Sequence, residues 1–216
     1  MNAESPVTEM TEWEQRLRCA LAGTSLAPPR PMVDLALPFK AQKLLEPLLG
    51  TRLRAAAVLV PVIRRGDDAS MLFTVRAGHL RSHSGQISFP GGGCDAADGN
   101  AVDTALREAR EEIGLDPACV EVIGFLDDYP TLSRYRVTPV VGLIEGEPHL
   151  SIDQNEVAEV FEVPLAFVFD SRNFKRTRLS REGIHLPVLE LNWRQHRIWG
   201  ATAGMLWNLV QKVGAA

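Results

Sequence analysis

Apolar runs separated by short polar turns dominate the chain from residue 54 onward. Residues 55–63 and 70–75 are two such runs, and the turn-forming segment 65–68 between them predicts a β-hairpin. Further strand-like runs follow at residues 120–126, 135–144, 157–163, 186–193 and 197–199. Because strands outnumber helical stretches, the pattern predicts a mixed sheet with helices packed on its faces.

Helical spacing appears in the middle of the chain and at its end. Asp98 or Asn100 can cap a helix that Gly114 ends, after residues 91–93, three glycines, have broken the strand pattern. A closing helix is predicted over residues 201–213. The inner face of the middle helix consists of Val102, Ala105, Leu106, Ala109 and Ile113.

The first fifty residues read differently from the rest. Thr11 and Glu14 have capping-box spacing at the start of a short amphipathic helix that includes Leu17. Residues 25–31 hold three prolines and predict an extended linker. We therefore predict an appendage over residues 1–50 and a main domain over residues 51–216.

Composition narrows the class of protein. Hydrophobic residues make up 45% of the chain and charged residues 23%, and the net charge is −4, which does not favour binding to nucleic acid or to an anionic membrane. The three cysteines form no CxxC pair, and the first ten residues do not have the pattern of a secretory signal. The expectation is a soluble, cytoplasmic protein that acts on a small molecule; a homodimer is left open.

Three carboxylates carry the strongest chemical signal. At about 100° per residue, Glu108, Glu111 and Glu112 lie close together on one helix face and repel one another. Either the face is merely solvated, or divalent cations such as Mg²⁺ or Mn²⁺ bind there and turn the repulsion into attraction. Such ions would also admit a diphosphate, which an acidic helix alone would expel at a cost of about 4 kcal/mol per close pair of charges.

The segment from Gly92-Gly93 to Arg107-Glu108-x-x-Glu111-Glu112-x-Gly114-Leu115 resembles the Nudix box. This resemblance implies an α/β fold of the Nudix type, an α/β/α sandwich with a mixed β-sheet, and a metal-dependent hydrolase that cleaves a nucleoside diphosphate linked to another moiety. It also implies that Glu108, Glu111 and Glu112 bind the metal and that Arg107 orients them.

One position departs from the family pattern. Six residues after Gly93 the family has a glutamate, whereas this chain has Gly99 with Asp95 and Asp98 nearby. Two interpretations stay open: Asp98 braces Arg107 in place of the missing glutamate, or the loop has a different shape.

A second run, from Leu72 to Arg76 and from Leu80 to Gly92, resembles the motif of coenzyme A pyrophosphatases within the Nudix family, with its L-x-x-H-x-G-Q-I-x-F-P-G-G spacing. The resemblance implies cleavage of coenzyme A or acyl-coenzyme A to 3′,5′-ADP and 4′-phosphopantetheine or its acylated form. Such a substrate carries an additional phosphate and calls for cations and for close approach of backbone N–H groups. The candidate substrate-binding residues are Arg76, Arg81, His83, Gly91 and Gly92.

The general base and the substrate each have alternatives. Glu156, in a loop before a predicted strand, can deprotonate the attacking water, and so can Glu111 or Glu112. The substrate can instead be another nucleoside diphosphate derivative, such as ADP-ribose or a dinucleoside polyphosphate. A non-catalytic Nudix module that binds a nucleotide is a third reading, although such modules typically lose carboxylates that this chain keeps.

Overall fold

A computed structural model describes residues 10–35, 53–79, 84–181 and 184–215 of the chain. Within these ranges the strands are β1 (Arg54–Arg65), β2 (Asp68–Arg76), β3 (Ile87–Ser88), β4 (Gly91–Gly93), β5 (Val120–Phe125), β6 (Tyr129–Pro130), β7 (Tyr135–Glu145), β8 (Val157–Pro164), β9 (Phe174–Arg181), β10 (Ile184–Trp193) and β11 (His196–Trp199). The helices are α1 (Glu12–Leu21), α2 (Ala101–Ile113), α3 (Leu165–Phe169) and α4 (Ala201–Ala215).

The main sheet is mixed and has the order β3-β2-β1-β7-β5. Strands β1 and β7 run parallel over their whole length, from Arg54 opposite Tyr135 to Arg64 opposite Glu145, whereas the other pairs in this sheet are antiparallel. Three further strands extend it, because β4 pairs with β1, β6 with β7 and β8 with β2. The predicted hairpin of β1 and β2 is confirmed.

Helices cover both faces of the main sheet. Helix α2 packs Ala105, Ala109 and Ile113 against Leu59 and Ile63 on one face. The other face is covered by α1, α3 and α4 and by a second antiparallel sheet of order β11-β10-β9. The predicted α/β/α sandwich with a mixed sheet is therefore confirmed. No described helix is both long enough and apolar enough to span a bilayer.

Two local predictions are wrong. The glycines at 91–93 do not simply interrupt the strand pattern, because they form β4 and pair with residues 56–58 of β1. The capping box of α1 is absent, since the Thr11 side chain caps nothing and its Oγ1 is buried without a partner. Its other member, Glu14, turns instead to Arg64 and Arg18, whose guanidinium groups bond to its carboxylate.

Helix α1 itself is confirmed, and it is part of the packed interior. Leu17 and Leu21 are fully buried in the same apolar cluster as side chains of β1, β7 and α4. Phe125 at the end of β5 donates its backbone N–H to Thr24 Oγ1 at 3.0 Å. The predicted boundary at residue 50 lies outside the described residues, and the separation of residues 1–50 from the main domain stays a prediction.

Candidate active site

Helix α2 is fixed at both ends by the residues that flank it. Asn100 is the N-cap, because its side-chain oxygen accepts the backbone N–H groups of Val102 and Asp103. Gly114 ends the helix in the left-handed conformation with φ of 68°, which glycine adopts without strain. With its termini set in this way, the helix presents Glu108 and Glu112 towards β4, while Glu111 is exposed beside Arg107.

Arg107 holds the loop, the helix and the glycine strand together. Its Nε and Nη2 donate to the two oxygens of Asp98 at 3.0 and 2.9 Å. Its Nη1 donates to Glu108 at 2.9 Å and to Glu111 at 3.1 Å, and Nη2 also reaches the Gly93 carbonyl at 3.1 Å. Of the two interpretations of Gly99, the geometry favours the one in which Asp98 braces Arg107.

Asp98 is itself held by two further donors. Thr104 Oγ1 donates to Asp98 Oδ2 at 2.8 Å, and the Asp95 backbone N–H donates to the same oxygen at 2.8 Å. The hydrogen bonds from Arg107 are the main cause that lowers the pKa of Asp98 well below its usual range. Thr104 was missed by the sequence analysis, although a hydroxyl residue on the inner face of an amphipathic helix was a usable signal.

Glu112 is the buried member of the carboxylate set, with 2% of its surface exposed. The Gly91 N–H donates to its Oε2 at 3.3 Å, and Arg76 Nη1 lies 3.6 Å from its Oε1. Burial raises the pKa of Glu112 to about 7, helped by the charges of Glu108 and Glu156 and opposed by Arg76 and by the Gly91 N–H. The ionised form of Glu112 is therefore costly here without a further positive charge nearby.

Glu108 faces the glycine strand. Burial is the first cause that raises its pKa, opposed by Arg107 and reinforced by Glu111 and Glu156. A side chain at Gly92 would collide with the Glu108 carboxylate and displace it, so glycine here keeps that carboxylate in place. A side chain at Gly91, where φ is 157°, would collide with the β1 backbone at Ala57 and Val58, so glycine is needed there.

Glu156 reaches the same region from a loop tied to the end of α2. The Ser151 N–H donates to the Ile113 carbonyl at 2.8 Å and the Asp153 N–H to the Glu112 carbonyl at 3.0 Å. The same loop is also joined to β2, because the Ala77 N–H, just after that strand, donates to the Glu156 carbonyl at 2.8 Å. Because Glu156 raises the pKa of both Glu108 and Glu112, its charge lies within electrostatic reach of both.

The structure thus brings together most of the residues that the sequence singled out. Those gathered at one end of the sheet are Arg76, Gly91, Gly92, Arg107, Glu108, Glu111, Glu112 and Glu156. Arg81 and His83 lie outside the described residues. The ties between residues 151–153 and α2 were not predicted, and nothing in the sequence pattern indicates them.

The carboxylates have the chemistry of a site for a hard divalent cation, which takes oxygen ligands. In the described part of the chain, no three His, Cys, Asp or Glu side chains converge on one point, and Arg107 Nη1 bonds to both Glu108 and Glu111. Burial, with a smaller contribution from the charges of Glu108 and Glu156, raises the pKa of Glu112 to about 7, and a bound cation would favour its ionised form. On donor type and charge, the residues present fit such an ion.

Comparison with known proteins identifies relatives. The model of the NUDIX domain matches residues 53–181 of the chain. The chain is 41% identical to the uncharacterized Nudix hydrolase NudL of Enterobacter sp. (strain 638), over 74% of this chain and 83% of that protein. It is 43% identical to NudL of Cronobacter sakazakii, again over 74% of this chain and 83% of that protein.

Solved structures with a similar course of the chain include the Nudix hydrolase RenU from M. smegmatis. The match covers 75% of this chain and 86% of that chain, with 19% identity and a TM-score of 0.49. The NUDIX domain of Shewanella oneidensis NrtR, solved with ADP ribose, matches 55% of this chain and 77% of that one, with 21% identity and a TM-score of 0.42.

Proposed function

Because the chain belongs to the Nudix hydrolase family and is a pyrophosphohydrolase, we propose that its substrate is coenzyme A or a short acyl derivative of it. Hydrolysis of the diphosphate gives 3′,5′-ADP and 4′-phosphopantetheine or its acylated form. The water oxygen forms a new bond to one phosphorus, the bond from that phosphorus to the bridging oxygen breaks, and each product leaves with a phosphate monoester.

The contacts of Glu112 are the observation that carries the proposal. Arg76 stands at the start of the sequence that resembles the coenzyme A pyrophosphatase motif, and Gly91 stands near its end. Both contact the same carboxylate, at 3.6 Å and 3.3 Å respectively. Residues of the motif that resembles that of coenzyme A pyrophosphatases therefore contact a carboxylate of the proposed metal site.

Each residue of the site has a proposed role. Glu108, Glu111 and Glu112 hold the divalent cation that Nudix hydrolases generally use, here Mg²⁺ or Mn²⁺. When bound, the ion offsets the charge of the diphosphate and makes a coordinated water more acidic. Arg107, fixed by Asp98, keeps Glu108 and Glu111 in place. Other proposed contacts to the phosphates come from Arg76, Arg81, His83 and the N–H groups of Gly91 and Gly92.

Glu156 is the proposed general base that takes the proton of the attacking water. Its exposed side chain has no hydrogen-bond partner among the described residues, and its charge lies within reach of Glu108 and Glu112. A carboxylate without other partners is free to accept a proton. Glu111 and Glu112 are the alternatives.

Product analysis tests the substrate. We expect the purified protein with Mg²⁺ or Mn²⁺ to release 3′,5′-ADP from coenzyme A, measured by liquid chromatography with mass detection. Acetyl-coenzyme A, ADP-ribose and a dinucleoside polyphosphate complete the panel. Rapid cleavage of ADP-ribose or of the dinucleotide, without release of 3′,5′-ADP from coenzyme A, would refute the proposed substrate. A protein that binds a nucleotide and turns over none of the panel would favour the non-catalytic module.

Two matched variants test the base. If Glu156 takes the proton, Glu156→Gln should lower kcat on the order of a hundredfold while Mn²⁺ still binds, as measured by calorimetry. Glu111→Gln should weaken Mn²⁺ binding as well as turnover. A Glu156→Gln protein with unchanged kcat would return the role to Glu111 or Glu112.

A further inference from the structure

An arginine stacked on a tyrosine lies beside the glycine strand, outside the carboxylate set. The guanidinium carbon of Arg54, at the start of β1, is 4.2 Å from the centre of the Tyr135 ring, at the start of β7. The backbone joins the two places, because the Arg54 N–H donates to the Arg134 carbonyl at 2.9 Å. Arg136 follows in the same strand, where its Nε lies 3.5 Å from an oxygen of Asp128. Arg54 is therefore held on the face of a half-buried aromatic ring.

The Arg54 side chain is exposed, and no carboxylate of the described residues pairs with it. Other arginines differ: Arg18, Arg65 and Arg107 each bond to at least two carboxylates. Stacking on an aromatic face leaves the N–H edges of a guanidinium group available to a second partner. In a chain of net charge −4, an arginine held in place without an acidic partner is suited to bind an external anion.

A single glycine separates this pair from the carboxylates. A side chain at Gly93 would contact Tyr135 Cε1 at 3.8 Å, and the Gly93 carbonyl accepts a hydrogen bond from Arg107 at 3.1 Å. Gly93 is exposed and has no side chain, so this residue places no side chain between the Tyr135 ring and the carboxylate set. A ligand whose diphosphate lies at Glu108 and Glu112 can therefore extend past Gly93 towards Arg54.

We infer that Arg54, held by stacking on Tyr135, binds the phosphate monoester on the ribose of the substrate's nucleotide half. The inference rests on the proposed function, and it names the residue that selects coenzyme A over the same molecule without the 3′-phosphate. That phosphate carries about two negative charges and three acceptor oxygens, which match the forked donors of arginine.

Substrate comparison with Arg54 variants tests the inference. The variants are Arg54→Gln and Arg54→Lys, and the substrates are coenzyme A and dephospho-coenzyme A, which lacks the 3′-phosphate. We expect the wild-type protein to prefer coenzyme A and Arg54→Gln to lower the ratio of the two kcat/KM values about tenfold, mainly through KM for coenzyme A. Arg54→Lys keeps the charge and should recover part of the ratio, because it lacks the bidentate fork.

Arg194→Gln is the matched control. Arg194 also lies over an aromatic ring, that of Trp193 at 5.4 Å, but on the turn between β10 and β11 in the second sheet. This variant should leave the ratio unchanged. An equal loss on both substrates in Arg54→Gln, or no preference in the wild-type protein, would overturn the inference.

A binding measurement separates this inference from the proposed function. Calorimetry with 3′,5′-ADP and with 5′-AMP, in the presence of Mg²⁺, needs no turnover. If coenzyme A is not cleaved, the proposed function fails. Tighter binding of 3′,5′-ADP that disappears in Arg54→Gln would still support the phosphate site, whereas equal binding of the two nucleotides would refute it.

Discussion

Two buried glutamates at different ends of the molecule show how the same residue serves two purposes. Glu14 in α1 is 1% exposed and Glu112 in α2 is 2% exposed. Glu14 bonds directly to Arg64 and, at 2.9 Å, to Arg18. Among the described residues, the cation nearest to Glu112 is Arg76, at the longer distance of 3.6 Å. One buried charge has two short ion pairs, and the other has a single longer one.

The neighbours of the two glutamates show the same difference. Arg18 also forms a pair of hydrogen bonds, both 2.7 Å, with Glu121, and this contact lowers the pKa of Glu121. Around Glu112, burial and neighbouring carboxylates raise the pKa of Glu108 and bring that of Glu112 itself to about 7. In the matched cluster, around Glu14, arginines pair with the carboxylates and hold a helix against a sheet. In the unmatched cluster, around Glu112, the carboxylates have fewer such partners, and a bound cation would stabilise their ionised form. This difference separates the structural acidic cluster from the one we assign to catalysis.

Removal of a charge from the unmatched cluster should give the largest effect. Glu112→Gln should lower kcat/KM on the order of a thousandfold, since the proposed cation would lose an anionic ligand. The protein should stay folded, because a neutral amide suits a buried position. Activity assays at saturating Mn²⁺, with circular dichroism for the fold, check both statements. Glu121→Gln, in the matched cluster, is the control and should change kcat/KM less than about twofold, because exposed ion pairs contribute little.

The same substitution in the matched cluster should act on stability instead. Glu14→Gln leaves the buried guanidinium of Arg64 without its short ion pair, which should lower the free energy of unfolding by about 3 kcal/mol. Urea denaturation measures this loss. The activity of the remaining folded protein should be unchanged. A loss of stability below about 0.5 kcal/mol would mean that water, or Glu145 at 3.2 Å from Arg64 Nε, compensates the guanidinium.

The raised pKa of Glu112 predicts a pH effect on the protein stripped of metal with a chelator. Its pKa is about 7 in the folded protein and 4.5 as the reference value, so the folded state favours the protonated form. Stability is therefore greatest below pH 4.5 as far as this group is concerned, and it falls by about 3 kcal/mol as the pH rises to 7 and above. Urea denaturation at several pH values should show this slope, and Glu112→Gln should flatten it. A slope that is identical in the variant would contradict the assignment to Glu112.

The smallest effect is expected at the brace of Arg107. Asp98→Asn keeps the size of the side chain but removes the charge that Arg107 contacts through two nitrogens. Because Arg107 also bonds to Glu108, Glu111 and Gly93, it should shift and not detach, and kcat should fall about tenfold. Asp95→Asn, which changes a neighbouring carboxylate of the same loop, is the matched control and should have no such effect.

Sequence patterns predicted the parts of the fold that depend on local periodicity. Helix α2 with its ends at Asn100 and Gly114, the hairpin and the long strands follow from caps and apolar alternation. The wrong prediction at Glu14 has a tertiary cause, because the partner Arg64 is fifty positions away. Strand β9 was missed because its sequence is rich in basic residues and has little apolar alternation. It forms as a strand by pairing with β10.

The site was predictable in composition and less so in geometry. Spacing on one helix placed Glu108, Glu111 and Glu112 together, and the glycine loop indicated a close approach. The position of Glu156 depends on backbone hydrogen bonds between residues 151–153 and the end of α2, which leave no mark in the residue pattern. Arg54 and Tyr135 were missed because they meet only through the parallel pairing of β1 with β7.

The packing of α1 has a practical consequence for any shortened version of the protein. The family match starts at residue 53, which suggests a convenient place to begin a minimal chain. A chain cut there would lose Leu17 and Leu21 from the interior, and the outer strand β5 would lose the hydroxyl that accepts the Phe125 N–H. Such a strand with a bare apolar flank is prone to pair with its copies. Precipitation of the shortened protein would then result from this exposed edge strand, and it would not test the proposed catalytic residues.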